Sequence, residues 1–183
     1  MYRFQIYFSS LFSYYYMDLF ILRHGEAGKR TASRGNDSKR PLTAVGEKEI
    51  TEIAKALKKI GIKFDAILTS PLKRAQQTAG LVAGQFKAQT KMRQLQELSP
   101  EGSKSDLYHM LSSFKEGTSI LIVGHNPYLS EMISEVVTDE KYGRIDIKKG
   151  GVARIRVTNA TPKFKGELRW LLTPRLLKLM SKV

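Results

Sequence analysis

A chain of 183 residues with 42% hydrophobic and 26% charged residues has the size and balance of one ordinary globular domain with a real core. It holds no cysteine, which excludes disulfides, thiol nucleophiles and cysteine-based metal sites and suits a reducing cytoplasm. The formal net charge of +14 serves solubility or steers toward acidic partners. Without a block of consecutive basic residues, zinc-finger spacing or a stacking-aromatic motif, no specific nucleic acid is expected.

Residues 1–16 stand apart, with eight of the seventeen aromatics (Tyr2, Phe4, Tyr7, Phe8, Phe12, Tyr14, Tyr15, Tyr16) and one charge, Arg3. Gln5, Ser9, Ser10 and Ser13 break the aliphatic run that a signal peptide needs, and no cleavage site follows. Asp18 interrupts before the roughly 20 apolar residues of a membrane span. Met17 is read as the functional start of a single domain, residues 17–183. The leader is then a misassigned or dispensable extension, or else an aromatic anchor for a partner or membrane surface.

Residues 18–22 form a nearly all-apolar run, as for a buried parallel strand. A polar loop over 25–41 carries Lys29, Arg30, Arg34, Asp37, Lys39 and Arg40. A helix is predicted over 43–60, with Ile50, Ile53, Ala54 and Leu57 on one stripe and Gly61 as its stop. Residues 65–69 read as a second strand. Ser70 as N-cap and Pro71 in the first turn then open a helix running through Ala83.

A third extended segment spans 92–98. The helix after it packs Leu107, Met110, Leu111 and Phe114 along one stripe. A fourth buried strand over 119–123 ends in Gly124-His125. Asn126 and Pro127 repeat the cap-then-proline device before a helix striped by Leu129, Met132, Ile133 and Val136. Strands over 152–158 and 167–172, with no helix between them, imply antiparallel additions at a sheet edge. A short helix follows Pro174. The expected fold is a three-layer α/β sandwich: a mostly parallel sheet with antiparallel edge strands and helices on both faces.

Two of the three histidines, His24 and His125, sit where a predicted strand gives way to loop or helix, as do Arg23 and Arg74. Ligands of open α/β sheets bind beyond such carboxyl ends. Arg23 and His24 reach one ligand only if the backbone turns at Gly25, because neighbours on a strand point to opposite faces. Helix N-termini beside Arg74 and His125 add positive potential. A guanidinium fork binds phosphate oxygens bidentately. His24 is therefore read as a nucleophile toward phosphorus, with the cations stabilising the equatorial oxygens and His125 donating to them. No metal-ligand motif is present and no cofactor is required. His109 has no partner motif and is given no role.

Leu22-Arg23-His24-Gly25-Glu26, Arg40-Pro41-Leu42-Thr43 with Gly46, Thr69-Ser70-Pro71-Leu72-Lys73-Arg74-Ala75-Gln76-Gln77-Thr78-Ala79, and Val123-Gly124-His125-Asn126-Pro127 resemble the histidine phosphatase superfamily. The resemblance runs from Met17 to the last helix. It implies a phosphorylated His24 in a pocket completed by Arg23, Arg74 and His125, with Gly25 and Asn126 also touching substrate.

Within the superfamily the chain is most similar to the short phosphohistidine phosphatases of the SixA type. His125 follows Arg74 by only 51 positions, room for a strand, a helix and a strand, with no helical cap insertion. An unroofed site suits a phosphorylated side chain on a protein better than a small metabolite. The family often places its proton donor after the third strand, which points to Glu97, with Glu101 as second choice. Phosphohistidine needs that acid less, because a protonated imidazole leaves easily.

The leading expectation is a cytoplasmic, metal-independent phosphatase acting on phosphohistidine in a protein. One alternative is a broad phosphomonoesterase for small phosphorylated substrates. Another is a non-catalytic basic module that binds phosphorylated or nucleic-acid partners.

Overall fold

The computed structural model describes residues 16–29, 37–140 and 145–182. Strand β1 (Met17–Arg23) pairs in parallel with β4 (Ser119–Gly124) and antiparallel with β5 (Val152–Asn159). With β2 (Ala66–Thr69), β3 (Met92–Gln94) and β6 (Lys165–Leu172), the sheet runs β3-β2-β4-β1-β5-β6. β1 to β4 are mutually parallel, while β5 and β6 form an antiparallel hairpin on one side. This is the expected α/β architecture.

Successive side chains on a strand face opposite ways, and here both faces are covered. Leu19, Ile21, Ile120 and Ile122 cluster with Leu107 and Leu111 of α3 (Lys104–Ser112) and with Leu129 and Met132 of α4 (Tyr128–Thr138). Phe20, Leu22, Leu121 and Val123 meet Ile50 and Leu57 of α1 (Ala44–Lys59) and Ala79 and Val82 of α2 (Lys73–Phe86). Leu177 of α5 (Pro174–Lys182) closes that layer. Double coverage explains why the parallel strands read as unbroken apolar runs. Each buried aliphatic side chain contributes about 1.5–3 kcal/mol, so the strand ends stand on a stiff frame.

Several expected boundaries shift, each for a local reason. Thr43 caps α1 as its sequence implies, accepting from Gly46 N at 3.0 Å. Helix α2, however, starts at Lys73 rather than at Ser70-Pro71, and continues past Ala83 to Phe86. Ser70 remains in the sheet's hydrogen-bond pattern, its N–H donating to Val123 O at 2.9 Å, and Leu72 in extended backbone precedes the helix instead. Helix α4 starts at Tyr128 with no side-chain cap. Asn126 instead spends its amide hydrogens on Ser130, Asp146 and Ile147.

The extended segment over 92–98 is a strand only through Gln94. A 3-10 turn, Gln96–Leu98, follows and drops Leu98 into the core. Phe114 lies beyond the end of α3 but packs against the same layer. Residues 1–15 of the leader lie outside the described residues. Tyr16 is exposed, and its carbonyl accepts from Gly117 N at 2.9 Å. Among the described residues no helix is long and apolar enough to cross a membrane.

Candidate active site

Three adjacent parallel strands end together. Arg23 pairs with Gly124 and Thr69 with Val123, so the next residues, His24, His125 and Ser70, share one end of the sheet. His24 N donates to Gly124 O at 3.1 Å, and Gly150 N reaches Arg23 O at 3.0 Å. The turn after β1 needs glycine for want of space. A Cβ on Gly25 would stand 2.7 Å from Cγ1 of Ile50, so any side chain would force that buried residue of α1 to shift. The N–H of Gly25 donates to Thr78 Oγ1 at 3.1 Å, locking the turn to α2.

His24, Arg74 and His125 are buried, at 6%, 4% and 2% exposure, although histidine and arginine are rarely so unless engaged. The two imidazoles lie 5.0 Å apart between centroids, at 55°. His24 Nδ1 lies 2.7 Å from Gly25 O, and Arg74 Nε donates to His24 Nε2 at 3.2 Å. A carbonyl only accepts and a guanidinium only donates. The proton is therefore on Nδ1 and the lone pair on Nε2. Burial, and then the cationic fields of Arg74, Arg23 and Arg40, lower the His24 pKa to about 4 against the opposing pull of the Gly25 carbonyl. The ring is neutral at neutral pH, as a nitrogen nucleophile must be.

His125 is likewise held neutral, its pKa lowered to about 3 chiefly by burial, with His24 and Arg74 acting the same way. Its Nε2 lies 2.8 Å from Ser70 Oγ, which also accepts from Leu72 N at 3.3 Å. Its Nδ1 is buried with no partner. When Ser70 donates to Nε2, Nδ1 carries a hydrogen available to a ligand. Arg23 anchors Nη1 on Ile147 O at 2.9 Å, and its buried Nε has no partner. Arg74 is pinned by Asp37, with Nη1 on the backbone oxygen at 2.8 Å and Nη2 at 3.2 Å from Oδ2.

The sequence-derived quartet is thus gathered at one place, with Gly25 beneath it. Asn126 flanks it, its Oδ1 buried and unpartnered. Glu97 is half-buried on the 3-10 turn after β3, and its charge acts on the buried Tyr128 phenol. Glu101 is exposed. Neither carboxylate is bonded to the quartet. His109 is exposed on α3.

Sequence reasoning missed Ser70 and Asp37. Ser70 lies inside the strand-end motif but reads in sequence as a helix cap, a task serine does equally well. Asp37 is one of only two acids, with Glu26, in the cation-rich 25–41 loop, and that contrast was the available signal. The Ile147 carbonyl carries no sequence signal.

Comparison with known proteins decides the family. The profile of the histidine phosphatase superfamily (branch 1) matches residues 19–100. The phosphohistidine phosphatase SixA of Escherichia coli K12 is 33% identical over 126 residues, covering 68% of this chain and 76% of SixA. The chain belongs to the histidine phosphatase superfamily. An uncharacterized protein of Picosynechococcus sp. is also 33% identical, over 142 residues that cover 76% of this chain and 85% of that relative.

Among solved structures, the protein histidine phosphatase SixA complexed with tungstate superposes with a TM-score of 0.76 at 29% identity, covering 88% of this chain and all of that one. An alpha-ribazole phosphatase of Shigella flexneri shares the fold, with a TM-score of 0.62 at 22% identity over 86% of this chain and 97% of that one. Superfamily membership and likeness to SixA support phosphatase, that is hydrolase, activity on phosphorylated substrates.

Proposed function

We propose that this chain hydrolyses phosphohistidine on a protein through a phosphoryl intermediate on His24. The observation that carries the reading is the neutral His24 with its lone pair on Nε2, facing Arg74 and flanked by His125. The phosphoryl oxygens would take the Nε–H of Arg74 away from His24, freeing the lone pair to attack phosphorus in line. A P–N bond forms at Nε2 as the bond to the substrate imidazole breaks, and that imidazole, protonated on its other nitrogen, departs neutral with the electron pair on the freed nitrogen. Water then attacks phosphorus, the new P–N bond breaks, and inorganic phosphate leaves with the imidazole restored.

The protein's part is mostly electrostatic. Arg23 and Arg74 meet the equatorial oxygens and His125 Nδ1 donates to them, so charge develops among groups already in place. These cations supply the stabilisation that a metal supplies elsewhere, which supports a step that runs without one. Gly25 and Asn126 would line the pocket, and Glu97, in preference to Glu101, would protonate a poorer leaving group.

Three features favour a protein substrate. Between Arg74 and His125 the chain forms α2's remainder, β3 with a 3-10 turn on either side (Gln89–Lys91 and Gln96–Leu98), α3 and β4, with no helical cap to roof a metabolite. The solved relative bound to tungstate, a phosphate-like oxyanion, is described as a protein histidine phosphatase. Lys39, Lys73 and Lys149 are exposed beside the site residues in sequence, a setting that draws an acidic protein surface. A broad small-molecule phosphatase on the same fold is the second reading.

The test is phosphate release from a phosphohistidine-carrying protein and from an aryl phosphate, each with and without EDTA. A higher kcat/KM for the phosphoprotein, unchanged by EDTA, supports the proposal. Preference for the aryl phosphate supports the second reading. Folded protein inactive on both contradicts the two together and leaves the binding-module alternative.

A further inference from the structure

We propose that Asp37 is a positioning residue, which holds the Arg74 guanidinium against His24 so that phosphate meets an assembled pocket. The inference rests on the phosphatase reading and adds to it a residue outside the expected quartet.

Asp37 grips Arg74 at two points, through its backbone oxygen (2.8 Å to Nη1) and Oδ2 (3.2 Å to Nη2). Its other carboxylate oxygen, Oδ1, is held by Arg40, at 3.0 Å from Nε and 2.9 Å from Nη2. Arg40 is itself tied by Nη1 to Gly28 O at 2.8 Å. The N–H of Lys73, the residue before Arg74, donates to the carbonyl of Ser38 at 2.9 Å. One short segment thus joins the loop after β1 to the start of α2.

Two contacts on the guanidinium end fix both the plane and the rotation of a planar group. With both Nη atoms held, the Nε–H is left facing His24 Nε2. Arg74 is 4% exposed and shares its surroundings with Arg23 and Arg40, so a carboxylate beside it also offsets cationic repulsion. Removing only the charge of Asp37 makes the pocket more attractive to an anion while loosening the arginine. Affinity and turnover should therefore part company.

Asp37→Asn tests this with two readouts. The first is turnover, with inorganic phosphate as competitive inhibitor. The expected result is a kcat at least about tenfold lower, since small misplacements of a positioned group cost up to ~100-fold, with phosphate inhibition unchanged or tighter. Asp37→Glu recovers part of kcat. Arg40→Met, which frees Asp37 without removing it, shifts kcat the same way by less.

The second readout needs no turnover: titration of the His24 ring by NMR. Losing a carboxylate alone lowers a histidine's pKa, whereas releasing the Arg74 cation raises it from about 4. A rise in Asp37→Asn supports the proposal. An unchanged or lower value overturns it, as does wild-type kcat in that variant. Inactive wild-type protein whose His24 still titrates upward in the variant would sink the phosphatase reading and spare the role of Asp37.

Discussion

The Nε–H of Arg74 donates to Nε2 of His24 across 3.2 Å, so the lone pair that would attack phosphorus is masked by the group that would bind the phosphate. Binding and unmasking become one event, because a phosphoryl oxygen that takes the Arg74 hydrogen frees Nε2. A lysine at position 74 keeps the charge but lacks the fork that serves Asp37 and His24 together. Arg74→Lys is expected to lower kcat/KM by about a hundredfold while the protein stays folded. Steady-state kinetics beside a melting curve checks this, and a loss below tenfold would leave the fork without a role.

The pH behaviour follows from burial. His24 titrates at about 4 and His125 at about 3 in the folded state, both lowered from 6.5. Between pH 6.5 and 4 the unfolded chain binds more protons at these sites than the folded one. Their contribution to stability is therefore complete above pH 6.5 and declines as pH falls through 4. Tm should drop over that window, and His125→Asn should flatten the drop. In kcat/KM, the enzyme's acid limb belongs near pH 4, and a limb near 6.5 with a substrate that does not titrate there would contradict neutral His24.

Ser70 deserves its own variant because only its hydroxyl engages His125 Nε2. Ser70→Ala keeps the strand register and frees the imidazole to adopt either tautomer, so the Nδ1 hydrogen is no longer assured. The expected loss in kcat/KM is roughly tenfold, with little change in Tm. Ser70→Thr, which retains the hydroxyl, should recover part of it.

Glu97 separates the substrates. A phosphate ester leaves as an alkoxide or phenoxide that wants a proton, while a protonated phosphohistidine departs as neutral imidazole. Glu97→Gln should slow alkyl or aryl ester hydrolysis by about a hundredfold and phosphohistidine hydrolysis by less than about threefold. Equal losses on both substrates would assign Glu97 a structural task.

The parallel strands were legible because burial on both faces leaves them as apolar runs, and the quartet because Arg23, His24 and His125 end or directly follow such a run while Arg74 opens the helix after one. Helix starts were less so. Ser70-Pro71 and Asn126-Pro127 carry the letters of capped helix beginnings, but the site claims both polar side chains first, and each helix begins at the next opportunity. The 3-10 turn of Gln96–Leu98 was hidden by Leu95 and Leu98, whose apolar character suits a strand as well as a turn tucked into the core. The contact of Asp37 with Arg74 spans 37 positions and connects loop to helix, a pairing that periodicity does not register.

The most direct measurement is to trap the intermediate. Wild-type protein is mixed with a radiolabelled phosphohistidine protein, quenched in alkali within the first turnovers, and its peptides are mapped. A histidine mechanism predicts an acid-labile, alkali-stable label on His24, absent from His24→Ala, whose turnover falls at least about a thousandfold. Turnover with no label on His24, together with a His24→Ala variant within tenfold of wild type, would contradict it.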